Sequence, residues 1–282
     1  METRELRYFV AVAEELHFGR AAQRLGMAQP PLSRSIAQLE RRLGTTLLER
    51  TRSGVTLTGP GAVLLEEARA ALDAIAAAER RTRRAAHAAE GKPAVVLVAK
   101  AGASTELVAK LLDTYAAEPD AVGVDVILCG PGQQGQMLRD GHADVALLHA
   151  PFDSLAGLDY ETLSTEGQVV LLPAGHPLTR RAAVQVDEVT DLPGLPQPRW
   201  PRPDGSYADG PGPQVRDQSQ LLQLVALGRA SVIAPESVCA NLRNDVVAIP
   251  VVDAPHVTTV IAWPPQSRSK AVADLVRAAT RL

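Results

Sequence analysis

The sequence predicts a chain of mixed class: a small, mostly helical head carrying a short β-hairpin, one long helix, and a larger α/β body. Three observations predict it. Between Phe18 and Glu40 two short amphipathic patterns meet at a turn; from Ala62 to Glu90 an alanine-rich stretch runs without proline or glycine; beyond Pro93 apolar strand-like runs alternate with helical patterns.

In the first stretch, FGRAAQRLGMAQPPLSRSIAQLE, Gly19 is the expected N-cap of a short helix whose inward face is Ala21, Ala22 and Leu25, and Gly26 ends it. Pro30 and Pro31 lack an N–H and are tolerated only in a first turn, which places a second helix start close to Gln29. Leu32, Ile36 and Leu39 face inward. Gln29, Pro30, Ser33, Arg34, Gln38 and Arg41 are left facing outward, with no carboxylate before Glu40. An Arg fork fits guanine O6 and N7, a Gln amide fits adenine N6 and N7, and Ser reaches a base edge or a phosphate. That is the chemistry of a helix that enters the DNA major groove.

The flanks complete a three-helix unit with a wing. Upstream, Leu6, Phe9, Val10, Ala13 and Leu16 repeat at helical spacing and can roof the pair. Downstream, LGTTLLERTRSGVTLTGPG reads as a hairpin in which Leu47 and Leu48 run in, Arg50 to Gly54 turn, and Val55 and Leu57 alternate with Thr56 and Thr58. Arg50 and Arg52 sit at the tip, where a wing meets the DNA backbone or minor groove. These residues resemble the winged helix-turn-helix of LysR-type transcriptional regulators. The resemblance is carried by LRYFVAVAEELHFGRAAQRL, AQPPLSRSIAQLERRLGTTLLER and GVTLTGPG.

Charge follows the same division. Residues 1–58 carry nine Arg against six acidic residues (+3), residues 59–91 balance, and residues 92–282 carry fifteen basic against twenty-one acidic (−6). An excess of three gives one head limited, salt-sensitive phosphate affinity, so tight binding needs two or more heads acting together. The long stretch after Gly61 supplies the means: Val63, Leu64, Ala68, Leu72, Ile75 and Ala76 mark one helical face, and roughly thirty residues span about 45 Å, too long for a small head to cover. The simplest partner is the same helix of a second subunit. The resemblance adds that this helix pairs two heads, and that similar proteins are usually tetramers.

After Gly91-Lys92-Pro93, AVVLVAK has the continuous apolar character of a buried parallel strand, and strand, helix, strand, helix, strand follow with short connections. Val184 to Pro213 is rich in Pro and Gly and reads as irregular. LRDGHADVALL, VVLLPAGHPL and ASVIAPESV match the family's sensor domain, which is similar to the periplasmic-binding-protein fold: two α/β lobes joined by two crossovers, closing on a small molecule. The expected organisation is therefore a DNA-binding domain at 1–58, a linker and dimerisation helix at 59–91, and an effector-binding domain at 92–282, with one lobe at 92–161 plus 264–282 and the other at 162–263.

Ligands of open α/β sheets bind at the carboxyl ends of strands, against helix starts. Lys100 ends the first strand, and Ser104 and Thr105 precede the next helix, so a cation, hydroxyls and open N–H groups suit an organic anion, although one of the two hydroxyls is also an N-cap candidate. Gln133 begins the following helix, where the family often carries Ser or Thr, and His149 and Arg199 or Trp200 are further candidates. Two cysteines, Cys129 and Cys239, lie far apart without metal-ligand spacing, so no zinc site and no disulfide framework is expected; a reversible redox pair in a regulator of the same architecture is the alternative reading. No GxSxG, HExxH or Walker motif points to an enzyme, and no catalytic residue, metal or cofactor is expected. No apolar run approaches twenty residues and no signal peptide opens the chain, so a soluble, cytoplasmic protein is expected.

Overall fold

Helix α1 (Thr3–Glu15) opens with a reciprocal capping box between Glu2 and Glu5 and ends where Leu16 turns left-handed. In this computed structural model, which describes residues 1–51, 54–88, 95–202 and 206–282, α2 (Phe18–Arg24) and α3 (Gln29–Leu43) follow. The cap of α2 is His17 rather than Gly19: its Nδ1 accepts the N–H groups of Gly19 and Arg20, which a glycine without a side-chain acceptor has no means to do. Gly26, at φ +64, closes α2, and Pro30 and Pro31 occupy the first turn of α3.

The hairpin pairs β1 (Leu48–Thr51) with β2 (Gly54–Leu57), Leu48 opposite Leu57 and Thr51 opposite Gly54. Two backbone anchors fix it. Glu40 of α3 accepts the N–H groups of Leu47 and Leu48, and the carbonyl of Leu16 accepts that of Val55. Phe9, Val12, Ala21, Leu32, Ile36 and Leu39 form the buried centre, each large aliphatic side chain contributing roughly 1.5–3 kcal/mol. Of the expected α1 face, Leu6, Phe9 and Ala13 are buried, Val10 is half-buried, and Leu16 is 42% exposed because it has left the helix at the cap.

Helix α4 (Gly59–Ala88) is a single thirty-residue helix that begins two residues earlier than Gly61, because the Thr58 hydroxyl caps it by accepting the Gly61 N–H. Gly61 is required there, since an added Cβ would lie 2.0 Å from the Leu47 carbonyl oxygen. Leu65 and Ala68 are the residues α4 buries on the head, with Leu64, Ala71 and Leu72 packed partly against it. Val63, expected on the apolar stripe, is 66% exposed: it lies one position off the row that meets the head.

The chain divides into two compact units, Met1–Arg81 with Arg139–Gly141, and Thr82–Leu138 with His142–Leu282. The second contains β3 (Val95–Lys100), α5 (Thr105–Ala116), β4 (Val124–Cys129), α6 (Gln134–Arg139), β5 (Val145–Ala150) and β6 (Asp159–Glu166). These are followed by β7 (Gln168–Pro173), a short α7 (Val186–Thr190), α8 (Gln218–Ala226), β8 (Val232–Pro235), β9 (Val246–Val251), β10 (Val257–Trp263) and α9 (Lys270–Ala279). One sheet has the order β4-β3-β5-β10-β6 and the other β8-β7-β9. As the runs predict, β3 lies parallel to both β4 and β5, whereas β10 is antiparallel to its neighbours and the second sheet is antiparallel.

Continuous apolar strands arise because both sheet faces are covered. Val95, Leu97 and Ala99 pack with Leu111, Leu275 and Val276 on one face, and Val96 and Val98 pack with Leu138 and Leu148 on the other. In β7, Val169 and Leu171 face α8, and Val170 and Leu172 face Val184 and Val189. The Pro- and Gly-rich stretch is less irregular than its composition implies, since a Gln185–Glu188 capping box starts α7 inside it.

The lobe boundaries differ from those expected. Both β6 and β10 belong to the five-stranded sheet, so the chain crosses at Gly167 and returns between Val251 and Val257, not at 162 and 263. Asp159 to Glu166 and Val257 to Trp263 pair with each other, which assigns both whole strands to the first lobe. Among the described residues no helix is long and apolar enough to cross a membrane.

Candidate functional site

On α3, Leu32, Ile36 and Leu39 are buried, which turns Gln29, Pro30, Arg34 and Gln38 out to solvent with Ser33 half-buried between them. Arg41 is exposed on the same helix, but Arg42 is committed inward. Its guanidinium meets both carboxylate oxygens of Glu5, at 3.1 and 2.7 Å, and holds α1 to α3. Arg20 and Arg24 are likewise occupied by Glu15 and Glu14. Arg34 forms no ion pair among the described residues, so its fork is available. Arg50 lies in β1, and Arg52 falls outside the described residues.

In the second unit the carboxyl-end rim of the five-stranded sheet is polar. Cys129 lies opposite Lys100, His149 opposite Thr259, and Thr259 opposite Ser164, so each of the five strands presents one hydrogen-bonding side chain to the same cavity. That cavity, of about 1250 Å³, is walled on the other side by Trp200, Leu221, Leu222, Ile233 and Val238 of the second lobe. The second-lobe side also carries the polar Arg216, Asp217, Gln218, Glu236 and Ser237, so both sides mix polar and apolar groups. Where the lobes meet, Gly102 (φ +80) lies against Gln218, and an added Cβ would stand 2.4 Å from the Gln218 Oε1.

Ser104 stands at the start of α5 in a left-handed conformation, φ 53, that a non-glycine residue adopts only under constraint. It does not cap the helix. Its Oγ lies 2.9 Å from His149 Nε2, leaving the first-turn N–H groups of α5 without a side-chain cap beside the cavity. His149 is buried; its backbone N–H donates to Asp153 Oδ2 at 2.9 Å, and its Nδ1 lies 3.7 Å from the same oxygen with no hydrogen-bond partner. Burial pushes the Asp153 carboxyl up, but the His149 contacts and Lys100 outweigh it, and the net shift is downward, toward the ionised form. Lys100 is half-buried, and burial draws its ammonium below the ordinary lysine value. Among the described residues it forms no ion pair.

Of the residues expected to meet a ligand, Lys100, Ser104, Thr105, Gln133 and His149 all line the cavity. Arg199 does not. Its Nε donates to the Gly212 carbonyl at 2.6 Å and its Nη1 to that of Ala208 at 3.0 Å, so it braces a loop, and its neighbour Trp200 faces the cavity instead. Thr259 and Ser164 were not legible in sequence because strand order alone brings them to the floor, and Asp153, in the turn after β5, is placed by its contact with the His149 N–H. Gln134, beside Gln133, is buried with neither amide atom partnered.

Both cysteines are free and both border the cavity. Burial, then Asp153, pushes the Cys129 thiol up to about 11 despite Lys100; burial, then Glu236 and Glu166, raises Cys239. Each environment disfavours the thiolate that redox sensing needs, so the redox reading is not favoured. Among the described residues no cluster of His, Cys, Asp or Glu has metal-binding geometry.

A three-helix head with an open reading helix, joined in one chain to a two-lobed α/β unit with a ligand-sized cleft, is the build of a ligand-responsive DNA-binding regulator. Comparison with known proteins gives the family. Residues 3–62 match the bacterial regulatory helix-turn-helix protein, lysR family, and residues 88–282 match the LysR substrate binding domain. The chain is 32% identical over 293 residues to the HTH-type transcriptional regulator IlvR of Caulobacter vibrioides, covering 99% of this chain and 98% of that one. It is 30% identical to BudR of Raoultella terrigena, covering 96% and 98%. With AlsR of Bacillus subtilis it shares 36% identity over 204 residues, 71% of this chain and 66% of that one. The crystal structure of CbnR, a LysR family transcriptional regulator, superposes with a TM-score of 0.58 at 26% identity over 100% of this chain and 99% of that one. The chain belongs to the LysR-type transcriptional regulators: it is a DNA-binding regulator of transcription with an effector-binding domain, not an enzyme.

Proposed function

We propose that the protein binds a pseudo-palindromic operator in the cytoplasm as a homo-oligomer, and that an organic anion entering the cleft shifts its grip on DNA. Residues 1–58 form the reading head, with Gln29, Pro30, Ser33, Arg34 and Gln38 toward the major groove and Arg50 and Arg52 on the wing. Residues 59–91 pair two heads through the half-buried Leu64, Leu72, Ile75 and Ala76 row of α4, and two such dimers make a tetramer. Residues 92–282 sense the effector. Ligand control requires only that the effector bind one arrangement of the oligomer more tightly than another.

The observation that carries the effector reading is Lys100: a half-buried cation at the floor of a cavity that feels Asp153 but forms no ion pair among the described residues, a position whose charge an anion offsets further. Ser104, Thr105, Gln133 and His149 surround it with polar groups. The test is footprinting of purified protein on genomic DNA across a panel of small organic acids. An inverted-repeat footprint that shortens or moves with one acid is the expected result. A response only to cations or neutral compounds would overturn the anion reading, and protection of isolated half-sites alone would overturn the paired operator.

A further inference from the structure

The residue before α2 is used by the fold at one end only. His17 is exposed, and its Nδ1 accepts the N–H groups of Gly19 at 3.0 Å and Arg20 at 3.2 Å. A proton on Nδ1 would set a third N–H against those two, so while the cap stands Nδ1 is bare and the ring is neutral, with its one N–H on Nε2. Among the described residues Nε2 has no hydrogen-bond partner. A serine or threonine at the same place would cap with its one oxygen, whereas the imidazole also carries a fixed donor on its far side.

That donor stands at the edge of the reading helix. A methyl group on Gly19 would lie 2.9 Å from His17 Cε1 and 3.7 Å from Gln29 Oε1, so the ring, whose Cε1 adjoins Nε2, neighbours the first residue of α3. When the second helix of such a pair lies in the major groove, the first crosses the DNA backbone, where its side chains meet phosphate oxygens that only accept. The two arginines of α2 are held by Glu15 and Glu14, and the Gly19 and Arg20 N–H groups are already taken by the ring. The Nε2–H is free of both commitments.

On the reading-head assignment proposed above, we infer that His17 is a further DNA-contacting residue: its Nε2–H donates to a backbone phosphate oxygen beside the base that Gln29 faces, while Nδ1 keeps the helix cap. The contact is neutral. It adds a hydrogen bond without releasing a counterion, and it sets the register of the head without reading sequence.

The experiment is fluorescence anisotropy of the full chain on a random-sequence duplex and on the duplex that footprinting protects, each over a series of salt concentrations. His17→Ser and His17→Gly both remove the ring, and both residues are accepted at an N-cap, so binding is read on whichever melts with wild type. The variant should bind both duplexes about tenfold more weakly, the worth of one hydrogen bond to a charged group, with the salt slope of wild type.

A loss confined to the protected duplex would assign the donor to a base edge and overturn the phosphate contact. A slope shallower by about one per head would mean a charged ring and overturn the neutral contact. Wild-type affinity in the His17 variant, with binding weakened in Arg34→Ala, would overturn the inference and leave the reading head standing. Wild-type affinity in both the His17 variant and Arg34→Ala would overturn the head assignment and the inference with it.

Discussion

At the scale of single residues, two arginines of one helix divide the work. Arg42 is tied to Glu5 and builds the head, whereas Arg34, one face away, forms no ion pair among the described residues and faces solvent. Arg34→Ala should cost about 1–3 kcal/mol of operator affinity if its fork reads guanine, and the check is to compare operator with random DNA. A loss of equal size on both would mean a phosphate contact. Glu5 supplies a different prediction. The Arg42 hydrogen bond, then the Glu2 backbone N–H, hold its carboxyl down at about 2 from an ordinary value of 4.5. A depressed carboxyl stabilises the fold above its unfolded value, and that contribution is lost as pH falls through the folded one. Wild type should thus melt above Glu5→Gln at pH 5, with the gap closing toward pH 2; a gap unchanged over that range would show that the ion pair does not act through ionisation. The residue patterns gave Leu32, Ile36 and Leu39 correctly as the buried row, but assigned the α2 cap to Gly19, because an imidazole acceptor at His17 has no spacing signature of its own.

At the scale of elements, α4 is the least self-sufficient part of the chain. Leu65 and Ala68 are satisfied by the head, and Leu72 and Ile75, one and two turns on, stay half-buried. Burying that row against a second helix would remove apolar area worth roughly 25 cal/mol per Å². Leu72→Ala with Ile75→Ala should shift the oligomer to smaller species in sedimentation and weaken operator binding in parallel. Unchanged sedimentation together with unchanged affinity would mean that α4 does not pair. Helical period and the absence of proline were enough to expect this helix; its start at Gly59 and the exposure of Val63 depended on Thr58 capping it and on the head fixing its rotation.

At the scale of the whole second unit, two lobes from one chain line a common cavity. Gly102 of the first lobe meets Gln218 of the second with no room for a methyl group, at a φ of +80 that a side chain would strain. Gly102→Ala should therefore hold the cleft more open and raise the effector dissociation constant several-fold, and adding Gln218→Ser should recover part of the loss. Calorimetry on the single and double variants decides it: no recovery in the double would assign the effect to backbone strain rather than to the contact between lobes. By itself the sequence determined the helical head, the exposed polar face of α3, the long helix and the parallel start of the body, because period, proline placement and apolar runs are local properties of the chain. It also marked Lys100, Ser104, Thr105, Gln133 and His149, which sit at strand ends or helix starts. Only the tertiary structure decided that β6 and β10 close the first sheet, that Thr259 and Ser164 join the floor, that Ser104 turns to His149 instead of capping α5, and that Arg199 braces a loop. Those outcomes depend on antiparallel pairings and side-chain contacts between residues tens of positions apart, and the order in which strands lie side by side is not written in the period of any one of them.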